Sequence, residues 1–199
     1  EIYLVSLTSP KTPKIISTSK GVDSQPVYSP DENWIAWTSM KRAGFEADKK
    51  DLILFNRKTG ETINLTEDFE LSVDEFIYSP DSKTIYFTAG TEINNLIYKL
   101  NLNDEEIELF HKDNYNTNIQ LSKDGKTLYF IKQRTDLPSE IFSQSTDGKN
   151  TLKRITFTNE EILSQLEMNP VESFWCKGAN GDKVQSILVK PPFFDPNKK

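Results

Sequence analysis

The sequence predicts an all-β fold, and three observations support that prediction. Short apolar stretches rich in Ile, Tyr, Phe, Trp and Thr lie between turn residues, which is the composition of β-strands. Similar stretches begin at residues 1, 51, 95 and 140, so the repeat is about 45 residues long. The chain also contains 36% hydrophobic and 11% aromatic residues, which is too many for a disordered polypeptide.

A second set of segments repeats with the same period. Each has an aspartate in a turn ahead of an apolar strand: YSPDENWIAWTS (28–39), YSPDSKTIYFTA (78–89) and QLSKDGKTLYFI (120–131). The aspartates Asp31, Asp81 and Asp124 are 50 and 43 residues apart. Strand-rich repeats of roughly 40–50 residues are typical of the four-stranded blades of a β-propeller.

The first complete repeat is interpreted as four antiparallel strands, at 25–29, 33–39, 51–56 and 61–66. Residues 1–17 supply two outer strands of an earlier blade, and three complete blades follow at 25–66, 75–110 and 117–157. We therefore predict a partial β-propeller of about three and a half blades over residues 1–157. A closed ring typically has four to eight blades, so two apolar blade faces should be open. We therefore expect either self-association of the chain or unusual burial of these faces in a crystal.

The repeated aspartates are interpreted as turn residues. In Ser29-Pro30-Asp31-Glu32 the proline presets φ, and the serine and aspartate side chains can bond to nearby backbone groups. A calcium loop would need several oxygen ligands at close alternating spacing, and the sequence has no such run. We therefore predict no metal site and no cofactor.

Residues 158–199 form a second, different unit. Thr158 followed by Glu161 has the spacing of a capping box, and apolar residues then recur at helical spacing, which predicts a short helix over 159–168. Glu160 and Glu161 are interpreted as first-turn carboxylates, which the helix dipole favours. Two strands, at 171–177 and 183–190, are predicted to form a hairpin around Asn180-Gly181.

Charge and composition exclude several functions. A net charge of −6 gives no basic surface for nucleic acid, and no apolar run is long enough to span a membrane. Cys176, the only cysteine, cannot form an internal disulfide and should be a small buried residue. His111, the only histidine, is expected in a surface loop. Of Trp34 and Trp37, one should pack between blades and the other should lie near the rim.

Two segments carry a resemblance to a known family. Residues 156–199 resemble the propeller-to-hydrolase junction of the prolyl oligopeptidase family, which similarly reads Asn-Glu-Glu-x-Leu, Glu-x-Phe, x-Asn/Asp-Gly and Lys-Pro-Pro-x-Phe-Asp-Pro. Residues 39–56, SMKRAGFEADKKDLILFN, are similar to the Arg-x-Gly-x-Glu-x-Asp stretch of its dipeptidyl-peptidase 5 and acylaminoacyl-peptidase branch. The resemblance covers essentially the whole chain but only part of the family's architecture.

The resemblance implies the propeller portion of a serine exopeptidase. An α/β-hydrolase domain carrying the Ser-Asp-His triad would follow residue 199, and the propeller would gate and select short or unfolded peptide substrates. The resemblance also favours the bacterial periplasm. None of the eight glycines forms the Gly-x-Ser-x-Gly nucleophile motif, so we expect no hydrolysis by these residues alone.

The resemblance also places the loop at 40–50 toward the hydrolase domain. An exopeptidase must hold the free amine of its substrate, for which a carboxylate is the natural partner. Glu46 or Asp48 could contact that amine, with Arg42 orienting the carboxylates or binding a carbonyl group. The alternative is an ion pair that only orders the loop.

Two other functions suit the blade repeats. A stand-alone propeller that binds protein partners has the same repeats, although the KPPFFDPNKK ending argues against it. A sugar-processing propeller would need paired carboxylates that converge on one face, which a sequence cannot show.

Overall fold

A computed structural model describes residues 1–8, 12–149 and 151–198. Over those residues the chain forms sixteen strands, one short α-helix, α1 (Glu160–Leu163), and a 3-10 turn at Ala179–Gly181. The strands are β1 (Tyr3–Leu4), β2 (Lys14–Ile15), β3 (Asp23–Tyr28), β4 (Trp34–Ser39), β5 (Asp51–Asn56), β6 (Thr62–Asn64), β7 (Val73–Tyr78), β8 (Thr84–Thr91), β9 (Asn94–Asn101), β10 (Ile107–His111), β11 (Tyr115–Leu121), β12 (Thr127–Arg134), β13 (Leu137–Ser145), β14 (Lys153–Arg154), β15 (Glu172–Lys177) and β16 (Lys183–Leu188).

The strands group into blades, which confirms the predicted all-β propeller fold. β3–β6, β7–β10 and β11–β14 are each four-stranded antiparallel meanders, and β1 pairs with β2 ahead of them. We number the complete blades 1 to 3. Blades 2 and 3 are joined by one parallel bridge between Tyr115 and Asn95. The three complete blades and the two earlier strands agree with the predicted count.

The strand register corrects one detail of the predicted repeat. In the third strand, Asp51 is opposite Ser39, and Leu96 is opposite Ala89, the residue of blade 2 that corresponds to Ser39. Leu96, not Asn95, is therefore the structural counterpart of Asp51. A sequence alignment without gaps cannot detect this shift, because one residue added ahead of a strand leaves the apolar pattern almost unchanged.

Buried apolar side chains fill the space between successive blades. One cluster joins blades 1 and 2 and includes Leu52, Leu54, Phe76 and Phe87, while a second joins blades 2 and 3. Trp37 is only 1% exposed and packs with Ile2, Ile16 and Phe55 against the earlier strands. Trp34, by contrast, is only partly buried. The prediction that one tryptophan packs between blades is confirmed for Trp37.

The repeated aspartates stabilise turns, as predicted. In blade 1 the Ser29 hydroxyl donates to Asp31 Oδ1 at 2.6 Å, and the Asn33 N–H donates to the same oxygen at 3.1 Å. Equivalent bonds occur at the turns of blades 2 and 3. The serine bond, the larger effect, and the following N–H hold the pKa of Asp81 and of Asp124 below its usual range.

The same turns share a left-handed residue one position after the aspartate. Glu32 and Ser82 have φ of 59° and 61°, and Gly125 has φ of 70° in blade 3. Glycine adopts this conformation without a steric cost, whereas other residues are strained there. Blade 3 therefore has a relaxed version of a turn that is strained in blades 1 and 2.

The first strands of the blades are bulged at corresponding places. The register shifts between Ser24 and Val27 in β3, between Val73 and Glu75 in β7, and between Thr117 and Gln120 in β11. The Gln25 side chain donates to the Asp74 carbonyl at 3.1 Å, so the bulges of blades 1 and 2 are in contact.

The tail differs from the prediction in two ways. The helix spans only Glu160–Leu163, its N-cap is Asn159, and no side chain caps it, so the predicted capping box and the extent 159–168 are wrong. Cys176 is exposed rather than buried, because the β15–β16 hairpin is a two-stranded sheet with no layer over its outer side. The hairpin itself forms as predicted, with Asn180 and Gly181 at φ of 58° and 85°.

The prediction that His111 lies in a surface loop is also wrong. His111 is 5% exposed and ends β10. Its Nδ1–H donates to Gln144 Oε1 at 2.9 Å, and Lys132 Nζ donates to its Nε2 at 3.2 Å. Burial, followed by the Lys132 charge, lowers the pKa of His111. The sequence did not reveal this burial, because one histidine after an apolar strand gives no sign that the strand continues into the core.

Candidate functional site

The loop at 40–50, which contains Arg42, Glu46 and Asp48, lies at the same end of the blades as several other connections. The loops at 40–50, 92–93 and 135–136 connect second and third strands, and the connections at 65–72 and 112–114 leave the fourth strands. In antiparallel meanders these segments all lie at the same end of the strands. We call this end the loop face. The aspartate turns lie at the opposite end.

The loop at 40–50 is held by its own arginine and aspartate. Arg42 Nε and Nη2 donate to Asp48 Oδ1 at 3.1 and 2.8 Å, and the N–H groups of Lys41 and Arg42 donate to Asp48 Oδ2. The Arg42 bond is the main cause that lowers the pKa of Asp48 to about 2. The Arg42 guanidinium also stacks over Phe45, 3.8 Å from the ring centre.

Glu46 differs from the other two predicted residues. It is exposed, and its carboxylate forms no hydrogen bond or ion pair within the described residues. The structure therefore brings Arg42 and Asp48 together and leaves Glu46 beside them as the carboxylate that solvent or a ligand can reach. Whether any of the three contacts a substrate stays a prediction.

A lysine that the sequence analysis did not single out fixes the base of the loop. Lys49 Nζ donates to the carbonyl oxygens of Thr66 and Phe69 at 2.8 and 2.7 Å and to that of Glu67 at 3.1 Å. Its fourth neighbour is Asp51 Oδ1 at 2.7 Å. Lys49 thus ties the loop to the connection between blades 1 and 2. In the sequence Lys49 is a lysine two residues before an aspartate that begins a strand, and this pattern is too common to predict its role.

The tail hairpin lies over the loop face. Gln185 Nε2 donates to Glu92 Oε2 at 3.2 Å, and Glu92 is in the loop between β8 and β9. A cleft of about 680 Å³ separates the hairpin from the loops of blades 2 and 3, with Ile187 from β16 in its wall. The segment that leads out of the propeller therefore shares a face with Arg42, Glu46 and Asp48.

Other chemistry is sparse on the described surface. Within residues 1–8, 12–149 and 151–198, no three His, Cys, Asp or Glu side chains are grouped as a metal site requires. In the same ranges no helix is long and apolar enough to cross a membrane. His111 is buried between blades 2 and 3 and does not line the cleft.

Fold, blade repeat and strand register define the class of protein as a β-propeller. The family model described as the TolB beta propeller domain matches residues 1–164, and the chain belongs to this family. The match covers every blade strand.

Comparison with individual proteins gives closer relatives. Dipeptidyl-peptidase 5 of Porphyromonas gingivalis is 31% identical over 200 residues, which cover 100% of this chain and 29% of that protein. TolB of Acinetobacter baumannii superposes with a TM-score of 0.60 at 25% identity, over 94% of this chain and 42% of that one. Acylaminoacyl peptidase of Pyrococcus horikoshii superposes with a TM-score of 0.66 at 18% identity, over 82% and 24%.

These comparisons confirm the resemblance drawn from the tail and the loop. The chain is similar over its whole length to dipeptidyl-peptidase 5, and it shares the fold of part of acylaminoacyl peptidase. The chain spans less than a third of the length of the curated relatives it matches.

Proposed function

We propose that this chain is the substrate-selecting propeller of a serine exopeptidase and that Glu46 receives the free amine of the peptide. The observation that carries the proposal is the shared loop face. The hairpin that leaves the propeller and the loop that holds Glu46 lie at the same end of the blades, so a hydrolase domain after the hairpin would face that loop.

The geometry of the loop supports a division of roles. Asp48 accepts four hydrogen bonds from Arg42 and Lys41, so its charge is already compensated. Glu46 keeps an uncompensated carboxylate, and a charge-assisted bond from an ammonium group would be stronger than a bond between neutral groups. Arg42, Phe45 and Asp48 then act as the rigid support that presents Glu46.

Gating belongs to the same proposal. A propeller above an active site admits short or unfolded peptides and excludes folded chains by size. Peptide hydrolysis would be carried out by a Ser-Asp-His triad after residue 199, because these residues contain no Gly-x-Ser-x-Gly motif.

The test uses the full-length protein and the substitution Glu46→Gln. We expect KM for a free-amine dipeptidyl substrate to rise at least tenfold, which is the loss of about one charge-assisted hydrogen bond. KM for the same substrate with an acetylated amine should change less than twofold. Glu70→Gln is the matched control, because Glu70 is an exposed glutamate on the loop face without a hydrogen bond in the described residues. Equal changes for both substrates, or for both variants, would overturn the role of Glu46.

Self-association of the 199-residue chain is a separate proposal. Large apolar side chains are exposed on the earlier strands, such as Tyr3 at 56%, and at the other end of the blade array, such as Ile141 at 41%. Unpaired blade faces of this kind favour association. Sedimentation velocity should show dimers or larger species at micromolar concentration, and a monomer at all concentrations would contradict the proposal.

A further inference from the structure

The cleft between the tail hairpin and the loop face has a composition suited to one class of ligand. Its volume of about 680 Å³ is in the usual range of ligand sites. Its walls combine apolar side chains with neutral amides, and its one charged pair is internal, because Arg134 Nε lies 2.9 Å from Asp136 Oδ1. The cleft therefore has no unpaired charge to offer.

Three side-chain amides in the cleft have no hydrogen-bond partner among the described residues. Asn94, Asn114 and Gln133 line it, and none of their side chains forms a hydrogen bond within the described residues. Nearby amides behave differently. Asn95 and Asn116 donate to each other's carbonyl oxygens at 2.9 and 2.7 Å and are almost fully buried.

Backbone pairing between blades 2 and 3 positions the residues that carry these three amides. Asn94 directly precedes Asn95, and Asn114 directly precedes Tyr115. Asn95 and Tyr115 form the parallel bridge between blades 2 and 3. The Asn95 N–H also donates to the Asn114 carbonyl at 3.0 Å. The two amides are consequently fixed on adjacent blades rather than on a freely moving loop, and Gln133, paired with Tyr115, completes the row.

Apolar side chains lie beside this row. Ile93 is 38% exposed, Tyr115 51% and Ile187 56%, so large apolar groups from two blades and from the hairpin face the same space. A side-chain amide both donates and accepts, as a peptide group does, and apolar walls accept the side chains of a bound segment.

We propose that this cleft binds an uncharged, extended stretch of polypeptide, with Asn94, Asn114 and Gln133 hydrogen-bonded to its main chain. The inference takes its ligand class from the proposed function, since a peptide held by its amine at Glu46 would extend across the loop face. It adds a second contact region that recognises the main chain instead of the terminal charge.

Binding can be measured on the 199-residue chain without turnover. The probe is an N-acetylated, C-amidated tetrapeptide, Ala-Ala-Phe-Ala, titrated into isotope-labelled protein and followed by NMR. We expect the side-chain amide signals of Asn94, Asn114 and Gln133 to shift together with one dissociation constant. The capped peptide has no free amine, so its binding reports on the cleft and not on Glu46.

A matched pair of variants locates the site. Gln133→Glu removes two donors from the cleft, whereas Gln120→Glu makes the same change at an exposed glutamine of β11 outside the cleft. We expect Gln133→Glu to weaken binding about threefold to tenfold and Gln120→Glu to leave it unchanged.

Three outcomes would overturn the inference. They are no shifts up to millimolar peptide on a chain whose spectrum is that of a folded protein, equal weakening by both glutamine variants, and binding that requires the free amine and is lost in Glu46→Gln. The first two leave the role of Glu46 standing, because that role is judged by the turnover of free-amine and blocked substrates.

Discussion

Blade 2 departs from blades 1 and 3 at one pair of positions. In blade 1 the first residue of the third strand is Asp51, and Thr66 donates to it while accepting the Leu52 N–H at 2.8 Å. Blade 3 repeats this arrangement with Glu140 and Thr156, whose hydroxyl accepts the Ile141 N–H. In blade 2 the register places Leu96 at the position of the acid, and after a bulge in β10 it places His111 opposite Ile97, the counterpart of Leu52.

The difference shows how one blade can be linked to the next. In blades 1 and 3 the acid and the threonine form hydrogen bonds that join the third strand to the segment that follows the fourth strand of the same blade. The acid contacts Lys49 in blade 1, and in blade 3 it accepts a bond from Arg154. The Thr156 hydroxyl and Arg154 hold the pKa of Glu140 below its usual range. Blade 2 lacks the acid, and its histidine reaches instead into blade 3, to Lys132 and Gln144.

The largest change in the free energy of unfolding should come from introducing the acid into blade 2. Leu96→Asp removes a buried apolar side chain and places a carboxylate where no hydroxyl donates, so we expect the free energy of unfolding to fall by about 4 kcal/mol. Leu96→Ala removes the same apolar side chain without adding a carboxylate, so its loss should be smaller. Urea denaturation of the two variants separates the cost of the lost packing from the cost of the carboxylate, and equal losses would show that the charge is not what blade 2 excludes.

The reverse change tests blade 1. Asp51→Leu gives this blade the residue of blade 2 and leaves the partly buried Lys49 ammonium without its carboxylate, at an expected cost of about 3 kcal/mol. Asp48→Asn is the control, since Asp48 is an ion-paired aspartate of the same loop but has an exposed partner, Arg42. Similar denaturation midpoints for the two variants would contradict a special role for the strand-start acid.

The third test uses pH. Because the pKa of His111 is lower in the folded chain than its usual 6.5, the unfolded chain binds the proton more readily. The contribution of His111 should therefore leave the free energy of unfolding unchanged above pH 6.5 and lower it as the pH falls below that value. The turn carboxylates act only at lower pH, since their pKa values lie below 3.8. Denaturation of the wild type and of His111→Gln between pH 5 and 8 isolates the histidine, and parallel pH profiles would exclude it as the cause.

The smallest effect concerns the turns. Glu32→Gly gives the first turn the residue that blade 3 has at Gly125 and relieves a left-handed backbone, so we expect stabilisation by about 1 kcal/mol. Glu61→Gly, at an exposed position without a positive φ, should destabilise or have no effect. A loss of stability in Glu32→Gly would mean that the unfolded chain gains more freedom than the turn loses strain.

The strand composition and the period of about 45 residues determined the propeller, its blade count and its aspartate turns. These features are local or repeat in register, so they are visible along the chain. The sequence also placed Arg42, Glu46 and Asp48 in one loop, because residues so close in number cannot be far apart.

Only the tertiary structure decided what faces each of these residues. It paired Asp48 with Arg42 and left Glu46 without a partner among the described residues. It also tied Lys49 to carbonyl oxygens up to 20 residues away and buried His111 against a lysine of the next blade. It also brought the amides of three separate strands and loops to one cleft under the tail. The physical reason is that burial and pairing depend on contacts between blades, and those contacts join residues whose separation in sequence carries no periodic signal.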